Sequence, residues 1–318
     1  MCNRINPKRI GLTGSSGFIG RAVAERLLSD GYELLCFGRK NAVPESGFYR
    51  LDIGENFDVT NELRNVDVLI HCAARAHVMN EQATNPLETY LKYNTEATLN
   101  LARQAAVSGV SRFIYLSSVK AVGESTTNKN AYKHDSLLVP EDAYGISKAN
   151  AENGLRQLAE KIEMEIIIIR PPLVYGEGVK GNFAMMLRLA RMNLPLPFGS
   201  IMNRRSLVAL DNLVDLIATC ILHQEAGNKT FMVSDGYDVS TPELLSIMIK
   251  INGKSPRMMK FPPKILVLIA AIFGQKSIAE RLLGSLVIDA EHTGATLGWK
   301  PKVSLEEALK KCIKGANK

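Results

Sequence analysis

Thr13-Gly14-Ser15-Ser16-Gly17-Phe18-Ile19-Gly20 sets three glycines three residues apart. The stretch lies between a short apolar run, Arg9 to Thr13, and a segment of helical periodicity, Phe18 to Ser29, whose Ile19, Val23, Leu27 and Leu28 share a face. Gly14 permits a tight turn. Gly17 lets a pyrophosphate approach the backbone at a helix N-terminus, where free N–H groups and the helix dipole favour an anion. Gly20 lets the helix sit close to the sheet. Strand, glycine loop and helix in this order open a dinucleotide-binding α/β unit.

The pattern continues downstream. Glu33 to Phe37 and Val68 to Cys72 read as strands, Leu87 to Val107 as a long helix closed by Gly109, and Arg112 to Leu116 as a strand. Ala143 to Lys161 reads as a helix and Glu165 to Ile169 as an almost purely Ile strand. Continuous apolar strands separated by helices predict an α/β fold, a Rossmann-type doubly wound parallel sheet covered on both faces. After Arg170 the pattern loosens through Pro171-Pro172, Gly176, Gly178, Gly181, Pro195 and Pro197. The dinucleotide-binding domain is therefore expected to span residues 1–170 with a return around 207–234. Residues 171–206 and 235–318 are expected to build a smaller substrate-binding lobe.

Composition limits the function classes. The 318 residues are 46% apolar and 22% charged, ordinary for a soluble globular protein. Five cysteines (Cys2, Cys36, Cys72, Cys220, Cys312) show no C-x-x-C spacing. That argues against a disulfide framework or a metal site and for a reducing, cytoplasmic setting. Asn6-Pro7-Lys8-Arg9 leads straight into a strand, so no secretory leader is expected. The longest apolar run, Ile265 to Phe273, is nine residues, against about 20 for a membrane span. It reads as a buried helix, with a membrane-surface contact as the alternative. The net charge is +7, and from Arg257 onward eleven Lys/Arg face five Asp/Glu, so +6 of it lies there. No aromatic ladder interleaves these cations, so a solvated basic face is expected rather than nucleic-acid binding.

Two further sites carry chemistry. The second strand ends Cys36-Phe37-Gly38-Arg39-Lys40. Enzymes that prefer NAD usually place a carboxylate there for the adenosine ribose. Here Gly38 stands in its place and Arg39 follows, so NAD(H) or NADP(H) is expected as cofactor, with NADP(H) favoured. Ser118 follows a later strand, and Tyr144 and Lys148 lie four apart on one face of a predicted helix. A nearby ammonium favours the phenolate, so Tyr144 is expected to have a lowered pKa. It would then exchange a proton with a sugar hydroxyl as hydride leaves or joins the same carbon. Lys148 would also hold the nicotinamide ribose, and Ser118 would hydrogen-bond the reacting oxygen.

At these residues the chain resembles the extended short-chain dehydrogenase/reductase superfamily, in its nucleotide-sugar epimerase/dehydratase branch. Matching segments are Thr13 to Gly20, Leu51-Asp52-Ile53, His71 to Ala74, Asn94 to Thr98, Leu116 to Gly123, Tyr144 to Lys148, Ile169 to Gly176, Arg204-Arg205-Ser206 and Leu297 to Pro301. The resemblance implies a cofactor site of Gly14, Gly17, Phe18, Ile19, Gly20, Arg39, Asp52, Ile53, Ala73, Ala74, Asn94, Lys148 and Pro171. It implies Lys120, Asn182, Phe183 and Arg205 on the side of a UDP-sugar, and a homodimer formed through the helices at Leu87–Val107 and Ala143–Lys161. The branch's 4,6-dehydratases follow the Ser/Thr with Asp-Glu; here Val119-Lys120 follows Ser118, so dehydration is not expected. The stretch Ile278 to Asp289 is similar to a bacterial subgroup handling UDP-N-acetylhexosamines for lipopolysaccharide and O-antigen. Near the sugar this chain carries Ser285 or Leu286 where UDP-galactose epimerases place a tyrosine, leaving room for an acetamido group. The expectation is reduction of a UDP-4-keto-6-deoxy-N-acetylhexosamine to UDP-N-acetylquinovosamine. The alternatives are a UDP-N-acetylglucosamine/UDP-glucose 4-epimerase with the same residues, and a non-catalytic NADP-binding regulator or scaffold.

Overall fold

The computed structural model describes residues 8–75, 85–272, 274 and 276–315; Cys2 and Asn6-Pro7 lie outside them. Among the described residues there are nine strands: β1 (Arg9–Thr13), β2 (Glu33–Gly38), β3 (Gly47–Arg50), β4 (Val68–His71), β5 (Arg112–Leu116), β6 (Glu165–Arg170), β7 (Leu173–Tyr175), β8 (Leu207–Ala209) and β9 (Thr230–Met232). All but β7 and β8, which pair with each other, form one parallel sheet in the order β3-β2-β1-β4-β5-β6-β9. The chain winds outward from β1 to β3, then restarts on the other side of β1 with β4. The carboxyl ends of β1 and β4 therefore flank the crevice where an open α/β sheet takes its ligand.

The helices are α1 (Phe18–Ser29), α2 (Thr60–Leu63), α3 (Pro86–Leu91), α4 (Ala97–Val107), α5 (Ala143–Ala159), α6 (Gly181–Met192), α7 (Leu210–Leu222), α8 (Thr241–Ile251), α9 (Pro263–Ile272), α10 (Lys276–Leu283), α11 (Glu291–Leu297) and α12 (Leu305–Gly315). The isoleucine run of β6 explains the two-sided burial. Ile167 and Ile169 pack with Val23 and Leu27 of α1 and Leu213 and Ile217 of α7. Ile166 and Ile168 point the other way, into a core holding Leu101 and Ala105 of α4 and Leu155 of α5. A third core gathers Tyr175, Phe183, Leu187, Leu207, Leu245, Met248, Leu309 and Ile313. Trp299 instead joins the sheet core beside α7, its indole N–H donating to Asp215 Oδ2 at 2.9 Å.

Three features depart from the sequence reading. The helix expected from Leu87 to Val107 starts one residue earlier, where Asn85 caps it, and is interrupted by a π-helical turn at Lys92–Glu96. The short strands β3, β7 and β8 carried no strong periodicity. Ile265 to Ile272 is helical as expected, but no residue of α9 is buried. None of the described helices is long and apolar enough to cross a membrane. Cys36, Cys72, Cys220 and Cys312 are free thiols.

Candidate active site

The glycine loop has the geometry its spacing predicts. Gly14 takes φ +77°, and a Cβ there would lie 2.6 Å from the Ala73 backbone nitrogen. A Cβ on Gly20 would lie 2.2 Å from the Gly14 carbonyl oxygen, so only glycine lets α1 approach the turn this closely. Gly17 N–H donates to Gly14 O at 2.9 Å and caps α1 with no side chain of its own. The first-turn N–H groups of α1, among them those of Phe18 and Ile19, have neither a capping side chain nor a competing acid. Thr13 Oγ1 holds His71 Nδ1 at 2.7 Å and accepts from Ala73 N–H at 3.2 Å, tying the ends of β1 and β4 together. The loop fits a dinucleotide pyrophosphate, because the uncapped α1 N-terminus lies beside Gly17, where a built Cβ meets only the Gly14 carbonyl oxygen at 3.2 Å.

The adenosine end lies beyond β2. No neighbour comes closer than 3.9 Å to a Cβ built on Gly38, and Arg39 and Lys40 are exposed. Asp52 and Ile53 are half-buried, and Asp52 Oδ1 accepts from Gly54 N–H at 2.9 Å. On the other side, Ala73 and Ala74 are half-buried after β4. Asn94 comes from the π turn and is fully buried. Its Oδ1 accepts from Arg75 N–H at 2.8 Å, while Nδ2 donates to Arg75 O and to Ser147 Oγ, both at 3.0 Å. Both the oxygen and the nitrogen of the amide are thus engaged by the chain, and Asn94 pins the loop after β4 to α5.

The reactive triplet is assembled from β5 and α5. Ser117 N–H donates to Ile169 O at 2.8 Å and Val119 N–H to the carbonyl of buried Pro171 at 3.0 Å, which fixes Ser118 at the strand end. Ser118 Oγ accepts from Lys120 N–H at 3.2 Å. Lys148 is buried, and its Nζ donates to Leu116 O at 2.9 Å. That nitrogen lies 4.6 Å from the Tyr115 ring centroid and 5.8 Å from that of Tyr144. Half-buried Tyr144 packs edge-on to Tyr90.

Burial dominates the electrostatics. It pushes the Lys148 ammonium down to about 8, against the pull of Cys72 and Glu152. Burial, then the Lys148 charge, holds His71 neutral down to about 3. The Cys72 thiol is pushed up to about 12 by the same burial. The Tyr144 phenol lies well above its ordinary value, because burial and then Asp142 and Tyr90 outweigh any neighbouring cation. The expected lowering of its pKa is thus not what this structure shows; the Lys148 ammonium is turned to the Leu116 carbonyl.

Several residues that shape the site were not singled out from sequence. Gly145 lets α5 touch the turn after Ser118: a Cβ there would lie 2.5 Å from Lys120 O. Asp142 caps α5 through Gly145 N–H at 2.7 Å and also takes the Lys120 ammonium, which bonds Glu124 as well at 3.0 Å. Lys120, expected to meet substrate, is therefore held in an ion-paired cluster. Behind Lys148, fully buried Glu152 receives Ser117 Oγ at 2.5 Å, Arg170 Nη2 at 2.7 Å and Arg156 Nη2 at 2.8 Å. Tyr144, Lys148, Glu152 and Arg156 recur every four residues, so one stripe of α5 carries both the chemistry and its support.

On the lobe side, Asn182 is half-buried in the first turn of α6. Phe183 is fully buried and stacks on Tyr175 at 5.1 Å, which places its side chain in the lobe core. Half-buried Arg205 pairs through its backbone with Val239, and its Nη1 donates to Gly284 O at 3.1 Å. The next residue, Ser285, accepts from Thr126 N–H at 2.8 Å through its carbonyl. Segment 284–289 thereby straps the loop between Ser118 and Tyr144 to the lobe, with Tyr132 N–H donating to Val287 O at 2.9 Å.

Residues 10–234 match the NAD dependent epimerase/dehydratase family. The chain is 44% identical over 316 residues to UDP-glucose 4-epimerase of Vibrio cholerae, covering 98% of this chain and 96% of that one. It is 24% identical to dTDP-4-dehydro-6-deoxyglucose reductase of Escherichia coli, covering 95% and 96%. Its fold superposes on UDP-glucuronic acid 4-epimerase from Bacillus cereus in complex with NAD with a TM-score of 0.77 at 20% identity, covering 97% and 98%. The chain belongs to the NAD dependent epimerase/dehydratase family and is an NAD(P)-dependent nucleotide-sugar enzyme of the extended short-chain dehydrogenase type.

Proposed function

We propose that this member of the family is a UDP-hexose 4-epimerase, inverting the hydroxyl at C4 of a UDP-sugar. The observation that carries this reading is the end-to-end likeness to a UDP-glucose 4-epimerase, 44% against 24% for the 4-keto-sugar reductase. Val119-Lys120 beside Ser118 agrees with it, since the site offers no adjacent acid pair to expel water from the sugar. Reduction of a UDP-4-keto-6-deoxy-N-acetylhexosamine, expected from sequence, has less support.

When bound, the nicotinamide cofactor supplies the hydride acceptor and donor. Tyr144 takes the proton from the C4 hydroxyl and returns it to the same oxygen after the sugar has turned its opposite face to the cofactor, which is what inverts C4. Lys148 provides positive charge behind it, and Ser118 donates to the reacting oxygen as charge develops there. Arg205 is the candidate clamp on the diphosphate, because a guanidinium pairs bidentately with phosphate oxygens. Two copies are proposed to pair through the α4 and α5 helices, a point for light scattering.

The test needs two mixtures. With UDP-glucose or UDP-N-acetylglucosamine and no added nicotinamide, the C4 epimer is expected to accumulate to equilibrium. With a UDP-4-keto-6-deoxy sugar and NADPH or NADH, no steady loss of nicotinamide absorbance is expected. Absorbance loss in the second mixture with no epimer in the first would overturn the proposal in favour of the reductase. Activity in neither mixture, with an unaffected cellular role for Tyr144→Phe, would favour the non-catalytic reading.

A further inference from the structure

We propose that the outward face of α9 docks on an anionic lipid surface, a role separate from sugar chemistry. Ile265, Leu268, Ile269 and Ile272 follow the i, i+3, i+4, i+7 spacing of one helix face and are 43%, 62%, 43% and 74% exposed. Leu266, Val267 and Ala270 are half-buried on the remaining surface. The helix is therefore apolar on both sides and covered on one. Single exposed apolar side chains are ordinary, but four in one stripe form a patch that marks an interaction site.

The charge around the stripe selects the partner. From Asn252 to Lys276 the sequence has five Lys/Arg and no Asp or Glu. Arg257, Lys260 and Lys264 are exposed, immediately before or within the first turn of α9. An apolar stripe led by exposed cations complements a hydrocarbon edge beneath negatively charged headgroups, where such a helix sinks about 5–10 Å. Lysine stems also extend along apolar surface while their ammonium groups stay at the headgroups. A second copy of the chain fits less well. Ten residues of helix are about 15 Å long and 10 Å wide, a footprint of about 150 Å² against about 800 Å² per partner in a stable interface. Two such faces would also bring cations against cations.

Flotation of the full chain with vesicles tests this. Vesicles of phosphatidylcholine and phosphatidylglycerol in equal parts are compared with phosphatidylcholine alone, at low and high salt. Binding is expected to the mixed vesicles and to weaken at high salt. Replacing Leu268 and Ile272 together with Gln should lower the partition coefficient about tenfold or more. Lys260→Gln with Lys264→Gln should lower it by about fivefold per cation. Both pairs are solvent-facing, so melting temperature and cofactor binding should stay as in the parent chain. No binding to the anionic vesicles, or equal binding by parent and variants, overturns the proposal. So does a concentration-dependent dimer that the α9 substitutions abolish without lipid binding, which assigns the face to a second copy.

Discussion

Lys148 reaches back from α5 to the carbonyl of Leu116, two residues before Ser118, at 2.9 Å. With the Ser117–Glu152 bond, this contact ties the helix bearing Tyr144 to the strand that leads into Ser118. It also sets the Lys148 ammonium in a buried position where its pKa falls from 10.5 to about 8. In the free enzyme the ammonium is present below about pH 8 and lost above it. Because the Tyr144 phenol ionises well above this range, its phenolate fraction grows with pH while the supporting ammonium is lost above pH 8, so kcat/KM is expected to rise to an alkaline limb near pH 8 and to level off there. Lys148→Arg, which stays protonated throughout, should remove the limb while lowering the rate. A profile flat through pH 8 in the parent chain would refute this. Between pH 8 and about 10.4 the unfolded state binds the extra proton, so this group's contribution to stability rises with pH there.

Tyr144→Phe keeps the ring against Tyr90 and removes only the proton donor. Its kcat is expected to drop by about 10²–10⁴-fold, the usual size of general acid–base catalysis, with the melting temperature unchanged. A loss below tenfold would shift the proton transfer to another group.

Gly145→Ala tests the close approach of α5 to the turn after Ser118. Alanine in an exposed helix position normally stabilises by up to about 1 kcal/mol over glycine. Here its Cβ would lie 2.5 Å from Lys120 O and 3.1 Å from Pro140 Cβ, so the helix start must move. The expectation is a destabilisation of about 1–3 kcal/mol and a fall in kcat of roughly 10²-fold from misplacing Tyr144. Urea denaturation and steady-state kinetics measure the two effects separately.

Glu152→Gln keeps the shape of the side chain and removes its charge. Arg170, only 1% exposed, then loses its carboxylate partner. Breaking such a pair costs about 3–5 kcal/mol, readable as a shift in the denaturation midpoint. Glu152 also favours the charged form of Lys148. The same substitution should therefore move the alkaline limb below pH 8, an effect that lost packing alone would not produce.

What was legible in the sequence was local. The glycines of the loop are three residues apart, and Tyr144 and Lys148 are four apart, so spacing alone reports their geometry. Glu152 and Arg170 are 18 residues apart on a helix and a strand, and only the packing of α5 against β6 joins them. Asn94 was placed near the cofactor, yet its role is set by the π turn that aims it at Arg75 and Ser147, an insertion that apolar periodicity does not encode. Phe183 matched the family motif, but Tyr175 draws its ring into the lobe core. Ile265 to Ile272 looked like core because hydrophobicity reports a tendency to leave water, and says nothing of whether a neighbour is present to receive it.

Cofactor choice is testable at the end of β2. A Cβ on Gly38 meets nothing closer than 3.9 Å, so the position admits either a carboxylate or a ligand phosphate. Arg39 is exposed beside it, and an exposed ion pair contributes about 0.2–1 kcal/mol, up to about 3 kcal/mol where direct hydrogen bonds to charge form. Arg39→Ala is therefore expected to weaken NADPH binding by roughly three- to tenfold and to leave NADH within about twofold. Gly38→Asp should act in the opposite sense on NADH, since its carboxylate accepts from the ribose hydroxyls and repels a 2′-phosphate. Fluorescence titration of both cofactors against the three proteins measures this. Tighter NADH binding in the parent chain, insensitive to Arg39→Ala, would mean that the two cations after Gly38 are only solvated. The ribose would then be held from the Asp52 side of the cleft.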